Sequence, residues 1–385
     1  MNFEFATANR IVFGNGTASH IAENVKSFGK HALIVTGRDS SRAEKLVADL
    51  QGAGKGATTY SVTGEPELST IEEGTKLAKA KQCDFVIGFG GGSVLDAAKA
   101  IAAMMKNDGE LLDYLEIIGH GKPLAKRPAP FIAVPTTAGT GSEVTRNAVL
   151  SSPEHKLKVS LRSPHMLARI AVVDPELTYD LPPALTASTG LDALTQLIEP
   201  FVCTRANPMT DGWCLDGIQR VSRSLRAVVL HDGKNKRARE DMALASLFGG
   251  LSLANAGLGA VHGFAGPIGG MFPAPHGAIC AGLLPHVIAA NIRALRERDK
   301  ESWALARYYR VAKILTGKPH ATAGAGVEWV QQLVAELEIP RLGFYGIKAE
   351  HIPDIVAKAT ASSSMKANPI VLTPDELSAT LQAAL

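Results

Sequence analysis

Two polar residues four positions apart, Asp192 and Gln196, lie within the mostly apolar segment 190–199. In a helix this spacing places both side chains on one face, about 5–6 Å apart at Cβ. Because the neighbouring residues are apolar, we expect that face to be buried, and a buried carboxylate is unfavourable unless it is paired or binds a metal. His262 and His276 are candidate partners. One carboxylate and two imidazoles suit Fe(II) or Zn(II) and leave positions for a substrate.

The same residues also have an interpretation that needs no metal. Asp192 could accept hydrogen bonds at a helix N-terminus, with Thr189 or Gly190 as the cap. His262 and His276 could be histidines with ordinary hydrogen-bond partners. Pairs at helical spacing are common, so the spacing alone does not decide between the two interpretations.

Two loops have residue compositions that are typical of ligand-binding loops. The first, the glycine loop at 90–96, follows a predicted strand and begins a predicted helix, so that its N–H groups could approach an anion. It differs from the fingerprint G-x-G-x-x-G because Ser93 replaces the last glycine, and a simple tight turn is the alternative. The second, the hydroxyl-rich loop at 135–143, could bond another part of the same ligand or cap a short helix.

Predicted strands and helices alternate up to about residue 180. Short strands are predicted in the first 16 residues, and buried strands are predicted at 32–36, 84–89, 131–134 and 170–174. Helices are predicted from Ser40 to about Leu50 and at 72–81. This alternation is typical of a mostly parallel sheet with helices on both faces, whose ligands bind outside the carboxyl ends of the strands.

The second half of the chain has helical patterning and few strand signals. It follows a break at Leu181-Pro182-Pro183, and its predicted helices cover 186–203, 209–229, 237–256, 277–294, 303–315, 323–337 and 349–360. The sequence therefore predicts an α/β domain over 1–181 and an all-helical domain over 182–385.

Composition and charge argue against several classes of partner. The chain has 385 residues, 46% of them hydrophobic, and a net charge of +3 without a basic stripe, so we expect no nucleic-acid partner. The four cysteines are scattered without a CxxC pair, which is typical of a reducing cytoplasm. Neither a signal peptide nor a run of about 18 apolar residues is found, and we therefore expect a cytoplasmic protein with no membrane partner.

Several motifs together resemble the iron-containing (group III) alcohol dehydrogenase superfamily over essentially the whole chain. They are the opening 10–16, the glycine loop, the hydroxyl-rich loop, Asp174-Pro175, the segment 190–194, Pro275-His276-Gly277 and Asn368-Pro369. The resemblance implies a Rossmann-like N-terminal domain and an all-helical C-terminal domain, the fold shared with dehydroquinate synthase, with NAD(P) and a metal in a cleft between them. It also implies reversible hydride transfer between a nicotinamide cofactor and a small alcohol and its aldehyde or ketone.

The resemblance implies roles for individual residues. The implied metal site is Asp192, Gln196, His262 and His276, with Fe(II) preferred over Zn(II) as the Lewis acid. The implied contacts of the cofactor are Gly91, Gly92 and Ser93 at the pyrophosphate, together with Asp96, Thr136, Thr137, Thr140 and Lys158.

The end of the first buried strand bears on the choice between NAD and NADP. Relatives that prefer NAD tend to carry an acidic residue there, which would repel a 2′-phosphate. Gly37 occupies the matching position, with arginines and serines after it, so the resemblance favours NADP(H). A shift of one residue would instead place the carboxylate of Asp39 on the ribose and favour NAD.

Two positions depart from the family pattern. Gln196 replaces one histidine of the usual Asp-His-His-His set, and an amide oxygen is a poorer ligand for these metals than imidazole. Gly266 replaces a histidine that is thought to relay a proton in many members. The departures favour, as alternatives, a metal-independent reductase resembling maleylacetate reductase or a nucleotide-binding protein without activity. A lyase resembling dehydroquinate synthase is a further alternative, against which the retained motifs argue.

The family also tends to form pairs through its N-terminal strands. The resemblance therefore implies a homodimer to which residues 1–12 contribute an edge strand. A short strand that only completes its own sheet is the alternative.

Overall fold

The structure is a computed structural model that describes residues 2–385. The described chain forms two compact units. The sheet unit contains residues 6–137 and 141–178, and the helical unit contains 179–385 together with 2–5 and 138–140. The predicted fold class, an α/β part followed by an all-helical part, is confirmed. The exact limits 1–181 and 182–385 stay a prediction.

The sheet unit is built on six parallel strands. The strands of the unit are β1 (Ile11–Phe13), β2 (His31–Thr36), β3 (Gly56–Ser61), β4 (Phe85–Gly90), β5 (Phe131–Pro135), β6 (Asn147–Ser152), β7 (Leu157–Arg162) and β8 (Ile170–Val173). The parallel sheet has the order β1-β8-β5-β4-β2-β3, and β6 and β7 form a separate antiparallel pair. The strands β3 and β4 lie on opposite sides of β2, so the strand order changes direction between β2 and β4. Ligands of such sheets bind outside the carboxyl ends of the strands where the strand order changes direction.

Four helices pack on the sheet. They are α1 (Ile21–Asn24), α2 (Glu44–Gly52), α3 (Leu68–Ala80) and α4 (Gly92–Met104). Strands β2, β4, β5 and β8 are continuous apolar runs because both of their faces are covered. Gly88 in β4 allows α4 to approach closely, since an added Cβ would lie 2.9 Å from Cβ of Ala98.

Several local predictions for the first half were wrong. No strand precedes β1 in the described residues, β3 was not predicted, and α3 begins at Leu68 rather than at 72. The hairpin of β6 and β7 was also missed, although its buried positions alternate along both strands in the way that predicts a half-buried strand.

The helical unit contains nine α-helices in the described residues. They are α5 (Pro183–Val202), α6 (Pro208–Arg226), α7 (Lys236–Asn255), α8 (Ala260–Met271), α9 (His276–Arg298), α10 (Trp303–Thr316), α11 (Ala323–Glu336), α12 (Ile352–Ala361) and α13 (Pro374–Ala384). All seven predicted helices are present, whereas α8 and α13 were not predicted.

The helix α8 was missed because glycines and Pro267 make up five of its twelve residues, and these are poor helix formers. It forms because Val261, Phe264, Ala265 and Ile268 are fully buried in the core of the helical unit. The signal for α13 was present in the sequence, since Thr373 and Glu376 form a capping box at its start.

Helices α5 and α9 lie in the core of the helical unit. By length and composition α9 could cross a membrane, but 83% of its most apolar window is buried inside the protein. In the described chain, the only other segment long and apolar enough to cross a membrane is the pair of α7 and α8, and these two helices are bent by 95° relative to each other. An apolar core helix has the same composition, so this is weak evidence for a membrane.

Candidate functional site

Helix α5 carries three polar side chains on one buried face. Asp192, Gln196 and Glu199 are four and seven positions apart, which places them on successive turns of the same face. The helix begins at Pro183, more than two turns before Asp192. Asp192 therefore does not cap the helix, and that alternative interpretation was wrong.

Four side chains of the types that bind metals meet at this face. One ligand atom from each of Asp192, His262, His276 and Cys280 lies within 4.8 Å of the others. Oδ1 of Asp192 is 3.5 Å from Nε2 of His262 and 3.8 Å from Nε2 of His276. This oxygen is buried and has no hydrogen-bond partner. A buried, unpartnered carboxylate oxygen facing two imidazoles and a thiol fits a divalent metal.

Gln196 contacts the carboxylate through its nitrogen. Its Nε2 donates to Oδ2 of Asp192 at 3.0 Å. Its Oε1 lies beside α7, since a Cβ added at Gly249 would be 3.3 Å from it. An N–H donor is not a metal ligand, so Gln196 in this conformation orients Asp192. Ligation by Gln196 stays a prediction.

Glu199 fixes the ring of His262. Its Oε2 accepts a hydrogen bond from Nδ1 of His262 at 2.6 Å, and its Oε1 accepts one from the backbone N–H of Val261 at 2.7 Å. With the proton on Nδ1, the lone pair of Nε2 points toward Asp192 and is available to a metal. Sequence reasoning missed this role, although Glu199 follows Asp192 by two helical turns.

Cys280 is the second residue that sequence reasoning missed. It lies on α9 one turn after His276, and its Sγ is 3.6 Å from Nε2 of His276 and 3.9 Å from Nε2 of His262. The spacing of four from a candidate ligand was the available signal.

The start of α8, which carries His262, is held by the C-terminal part of the chain. Oδ1 of Asn368 accepts from the backbone N–H of Ala260 at 3.1 Å, and its Nδ2 donates to Oδ1 of Asn291 at 2.7 Å. Asn291 in turn donates to the hydroxyl of Tyr308 at 3.0 Å. These contacts explain the motif Asn368-Pro369, for which the sequence offered no physical role.

The charges of the cluster shift its pKa values. Burial alone would raise the pKa of Asp192. The lowering effects of His276 and His262 together outweigh that of burial, so the pKa lies below its usual value. Burial acts to lower the pKa of both histidines, but Cys280 and Asp192 outweigh it, so both pKa values lie above their usual range. Protons and a divalent metal therefore compete for the same nitrogen atoms.

The glycine loop and two neighbouring loops follow adjacent strands of the sheet unit. Gly37 follows β2, Gly91 follows β4 and Thr136 follows β5. Gly91 precedes α4 without a side-chain cap, so the first N–H groups of α4, those of Gly92 and Ser93 among them, have no acceptor within the helix. A Cβ added at Gly91 would lie 3.3 Å from Cγ2 of Thr137. This helix N-terminus suits a phosphate.

Asp96 has a structural role in the sheet unit. Its Oδ1 accepts from the hydroxyl of Ser142 at 2.5 Å and pairs with Nζ of Lys99 at 3.1 Å, and its Oδ2 accepts from the backbone of Val149 at 3.0 Å. Both oxygens thus hold α4 against the residues that follow β5. A direct contact of Asp96 with the cofactor stays a prediction.

Three other predicted cofactor residues also have partners within the protein. Nζ of Lys158 pairs with Oε1 of Glu65 at 3.1 Å, and Oδ1 of Asp39 accepts from the backbone of Ser41 at 3.0 Å. Thr140 belongs to the helical unit and has a partner of its own. The roles of these residues toward a cofactor stay predictions.

Comparisons with known proteins agree over nearly the whole chain. The model of iron-containing alcohol dehydrogenase matches residues 8–175, and that of the C-terminal part of the same family matches 186–385. Alcohol dehydrogenase 4 of Schizosaccharomyces pombe is 36% identical over 380 residues, which are 97% of this chain and 87% of that protein. A crystal structure of 1,3-propanediol oxidoreductase matches all of both chains with a TM-score of 0.92 and 32% identity. Sulfoacetaldehyde reductase from Bifidobacterium kashiwanohense, in complex with NAD+, matches 100% of this chain and 99% of its own, with a TM-score of 0.86 and 27% identity.

Proposed function

Because this chain belongs to the iron-containing alcohol dehydrogenase family, we propose that it interconverts short-chain alcohols and their aldehydes with a nicotinamide cofactor and a divalent metal held by Asp192, His262 and His276. It is an oxidoreductase that acts on alcohols or aldehydes. The observation that carries the metal site is the buried Oδ1 of Asp192, which has no hydrogen-bond partner and faces both imidazoles.

The side chains around the site have different proposed roles. A bound metal would act as a Lewis acid on the substrate oxygen, and the nicotinamide would give or accept the hydride. Glu199 keeps Nε2 of His262 available, and Gln196 holds the second oxygen of Asp192. The side chain of His276 is 32% exposed, whereas that of Asp192 is 1% exposed. A substrate would therefore enter beside His276.

The proposed substrate class follows from the relatives. 1,3-Propanediol is the substrate that the name of one close structural relative gives, and a second relative is named as an alcohol dehydrogenase. We therefore place 1,3-propanediol first in a screen of small alcohols, with the corresponding aldehydes for the reverse reaction.

The proposed cofactor is NADP(H). A Cβ added at Gly37 would meet no heavy atom within 4 Å, so the end of β2 is open at the position where a 2′-phosphate would lie. Oδ1 of Asp39 accepts hydrogen bonds from the hydroxyl and the backbone N–H of Ser41, which lower the pKa of this carboxyl and engage it within its own turn. The guanidinium of Arg42 donates to the carbonyl of Leu177 at 2.7 Å, and this holds a positive charge near the same turn.

The ratio of kcat/KM for NADPH and NADH with one aldehyde tests the cofactor choice. We expect NADPH to be preferred, and we expect Gly37→Asp to reverse the preference by placing a carboxylate against the 2′-phosphate. Gly52→Asp, in which an added Cβ meets no heavy atom within 4 Å, is the matched control and should leave the ratio unchanged. A wild-type preference for NADH would contradict the proposal and would favour the alternative in which the carboxylate of Asp39 binds the ribose.

Replacement of His276 tests the metal site. His276→Ala should lose bound metal and turnover together, whereas His20→Ala, which changes an exposed histidine of the sheet unit, should lose neither. Metal would be measured in protein purified without oxygen, with turnover followed on short-chain aldehydes. A His276→Ala variant with full metal content and full turnover would remove the basis of the assignment.

Two departures from the family pattern favour a metal-independent reductase as the second candidate. Gln196 stands in place of a histidine, and Gly266 stands where many members carry another histidine, with no heavy atom within 4 Å of an added Cβ. Turnover that persists after the protein has been freed of metal by a chelator would favour this candidate.

We also propose a homodimer located in the cytoplasm. The strand β1 lies at the end of the parallel sheet, so a second copy could add to that edge. Light scattering at micromolar concentration tests the assembly, and a monomeric mass would contradict it.

A further inference from the structure

We propose that Sγ of Cys280 is a direct ligand of the metal and takes the coordination place of the imidazole that Gln196 replaces. The proposal deepens the proposed function and rests on it, because it concerns the same site. The complete donor set is then one carboxylate, two imidazoles and one thiolate, and Gln196 is a positioning residue that holds Asp192.

The separations of the donor atoms support coordination of a single ion. A tetrahedral zinc site has metal–nitrogen and metal–oxygen bonds of about 2.0–2.1 Å and metal–sulfur bonds of about 2.3 Å, so neighbouring ligand atoms lie about 3.3–3.6 Å apart. The sulfur of Cys280 lies 3.6 and 3.9 Å from the Nε2 atoms of His276 and His262. Oδ1 of Asp192 lies 3.5 and 3.8 Å from the same nitrogens. Each of these four separations is within about 0.5 Å of a tetrahedral edge, and all four donor atoms lie within 4.8 Å of one another.

The surroundings of Cys280 differ from those of an ordinary core cysteine. Its sulfur is fully buried, yet the polar atoms near it are the two imidazole nitrogens that also face the unpartnered Oδ1 of Asp192. Cys214 shows the ordinary case, since burial raises its pKa to about 12 and keeps it a neutral thiol. Cys280 instead lies among side chains that a divalent cation would bring together.

A thiolate changes the chemistry of the site. On coordination the S–H bond of Cys280 breaks, its proton goes to solvent and a metal–sulfur bond forms. Together with the carboxylate of Asp192, the thiolate supplies two negative charges that balance a divalent ion. Soft thiolate ligands favour Zn(II) over Fe(II), so the donor set selects zinc in this chain. Because zinc expands to five ligands in some catalytic sites, one more donor can bind on the exposed side of His276.

Cobalt substitution of the full-length protein provides the test. Protein freed of metal would be refilled with Co(II) without oxygen, and its near-ultraviolet spectrum would be recorded. We expect a thiolate-to-cobalt charge-transfer band in the wild type and in Cys214→Ser, and none in Cys280→Ser or Cys280→Ala. Loss of a group that only orients a ligand lowers metal affinity by about 10–100-fold. Because Cys280→Ala would remove a ligand itself, its Co(II) affinity should fall by more than this.

A rescue variant separates ligation from a packing effect. Gln196→His in the Cys280→Ala background should restore tight Co(II) binding without restoring the band, because an imidazole replaces the sulfur. A cobalt-loaded wild type without the band, or a band that survives in Cys280→Ala, would overturn the inference. If the wild type binds one Co(II) without the band while His276→Ala binds none, the proposed function stands and only the role of Cys280 is wrong. If the wild type binds no Co(II), the metal site itself is wrong.

Discussion

Replacement of Glu199 by glutamine should weaken metal binding without removing any ligand. The carboxylate accepts two hydrogen bonds, at 2.6 Å from Nδ1 of His262 and at 2.7 Å from the backbone of Val261, and it is 4% exposed. The amide of Glu199→Gln has one acceptor and one donor, so it can serve only one of these two N–H groups. Either the Val261 N–H is left unpaired, or the proton of His262 moves to Nε2, and that nitrogen can then no longer bind a metal.

The expected loss has two parts. Removal of a group that orients a metal-binding histidine typically costs about 10–100-fold in affinity, which is about 1.4–2.7 kcal/mol. In the metal-free protein, a buried donor left without a partner should lower the free energy of unfolding by about 1–3 kcal/mol. The variant should therefore bind metal more weakly in either case, because a neutral amide no longer supports the basicity of the His262 imidazole. It should lose stability without metal only if the Val261 N–H is the group left unpaired.

A competition titration of Zn(II) against a coloured chelator measures the affinity, and urea unfolding of the metal-free protein measures the stability. Glu336→Gln is the matched control on α11, since Glu336 pairs with Arg226 at 2.5 Å and its side chain is 34% exposed. It should change stability by no more than about 1 kcal/mol and leave the metal affinity unchanged. Wild-type affinity together with wild-type stability in Glu199→Gln would refute the argument about the tautomer of His262.

Three further predictions concern the rest of the chain. Burial raises the pKa of Glu143 from 4.5 to about 7, so the native state holds a proton that the unfolded state releases between these values. Stability should therefore fall by up to about 3 kcal/mol as the pH rises through this range, and the difference between wild type and Glu143→Gln in urea unfolding should show it. Lys99→Met should lower the free energy of unfolding by about 3–5 kcal/mol, because it leaves the carboxylate of Asp96 without its cation. Gly277→Ala should lower the melting temperature because the new Cβ would lie 2.8 Å from the carbonyl oxygen of Ser188, whereas Gly212→Ala, with open space in α6, should stabilise by about 0.4–1 kcal/mol.

The parts of the fold that the sequence predicted were those with long, uniform patterns. The buried strands β2, β4, β5 and β8 are apolar runs, and seven helices of the helical unit have ordinary helical periodicity. The helix α8 could not be predicted from propensity, because its glycines and proline oppose a helix that only burial in the core stabilises. The limits of the two compact units depend on long-range packing, which a local pattern does not contain.

The candidate metal site was predicted in part. Asp192, His262 and His276 were identified, and the structure brings them together. Glu199 and Cys280 were missed even though their spacings of seven and four from a predicted ligand indicated a shared face. The orientation of the Gln196 amide could not be predicted, because it depends on the contact of Nε2 with Asp192, while Oε1 is buried without a hydrogen-bond partner.

The hydrogen bond from Ala260 to Asn368 has a consequence for biosynthesis. It ties the helix that presents His262 to a segment that the ribosome makes more than a hundred residues later. The sheet unit can fold while synthesis continues, because domains generally fold in the order in which they emerge. The candidate metal centre, by contrast, is complete only when the segment that contains Asn368 has docked. A chain truncated before Asn368 should therefore fold its sheet unit yet fail to retain metal.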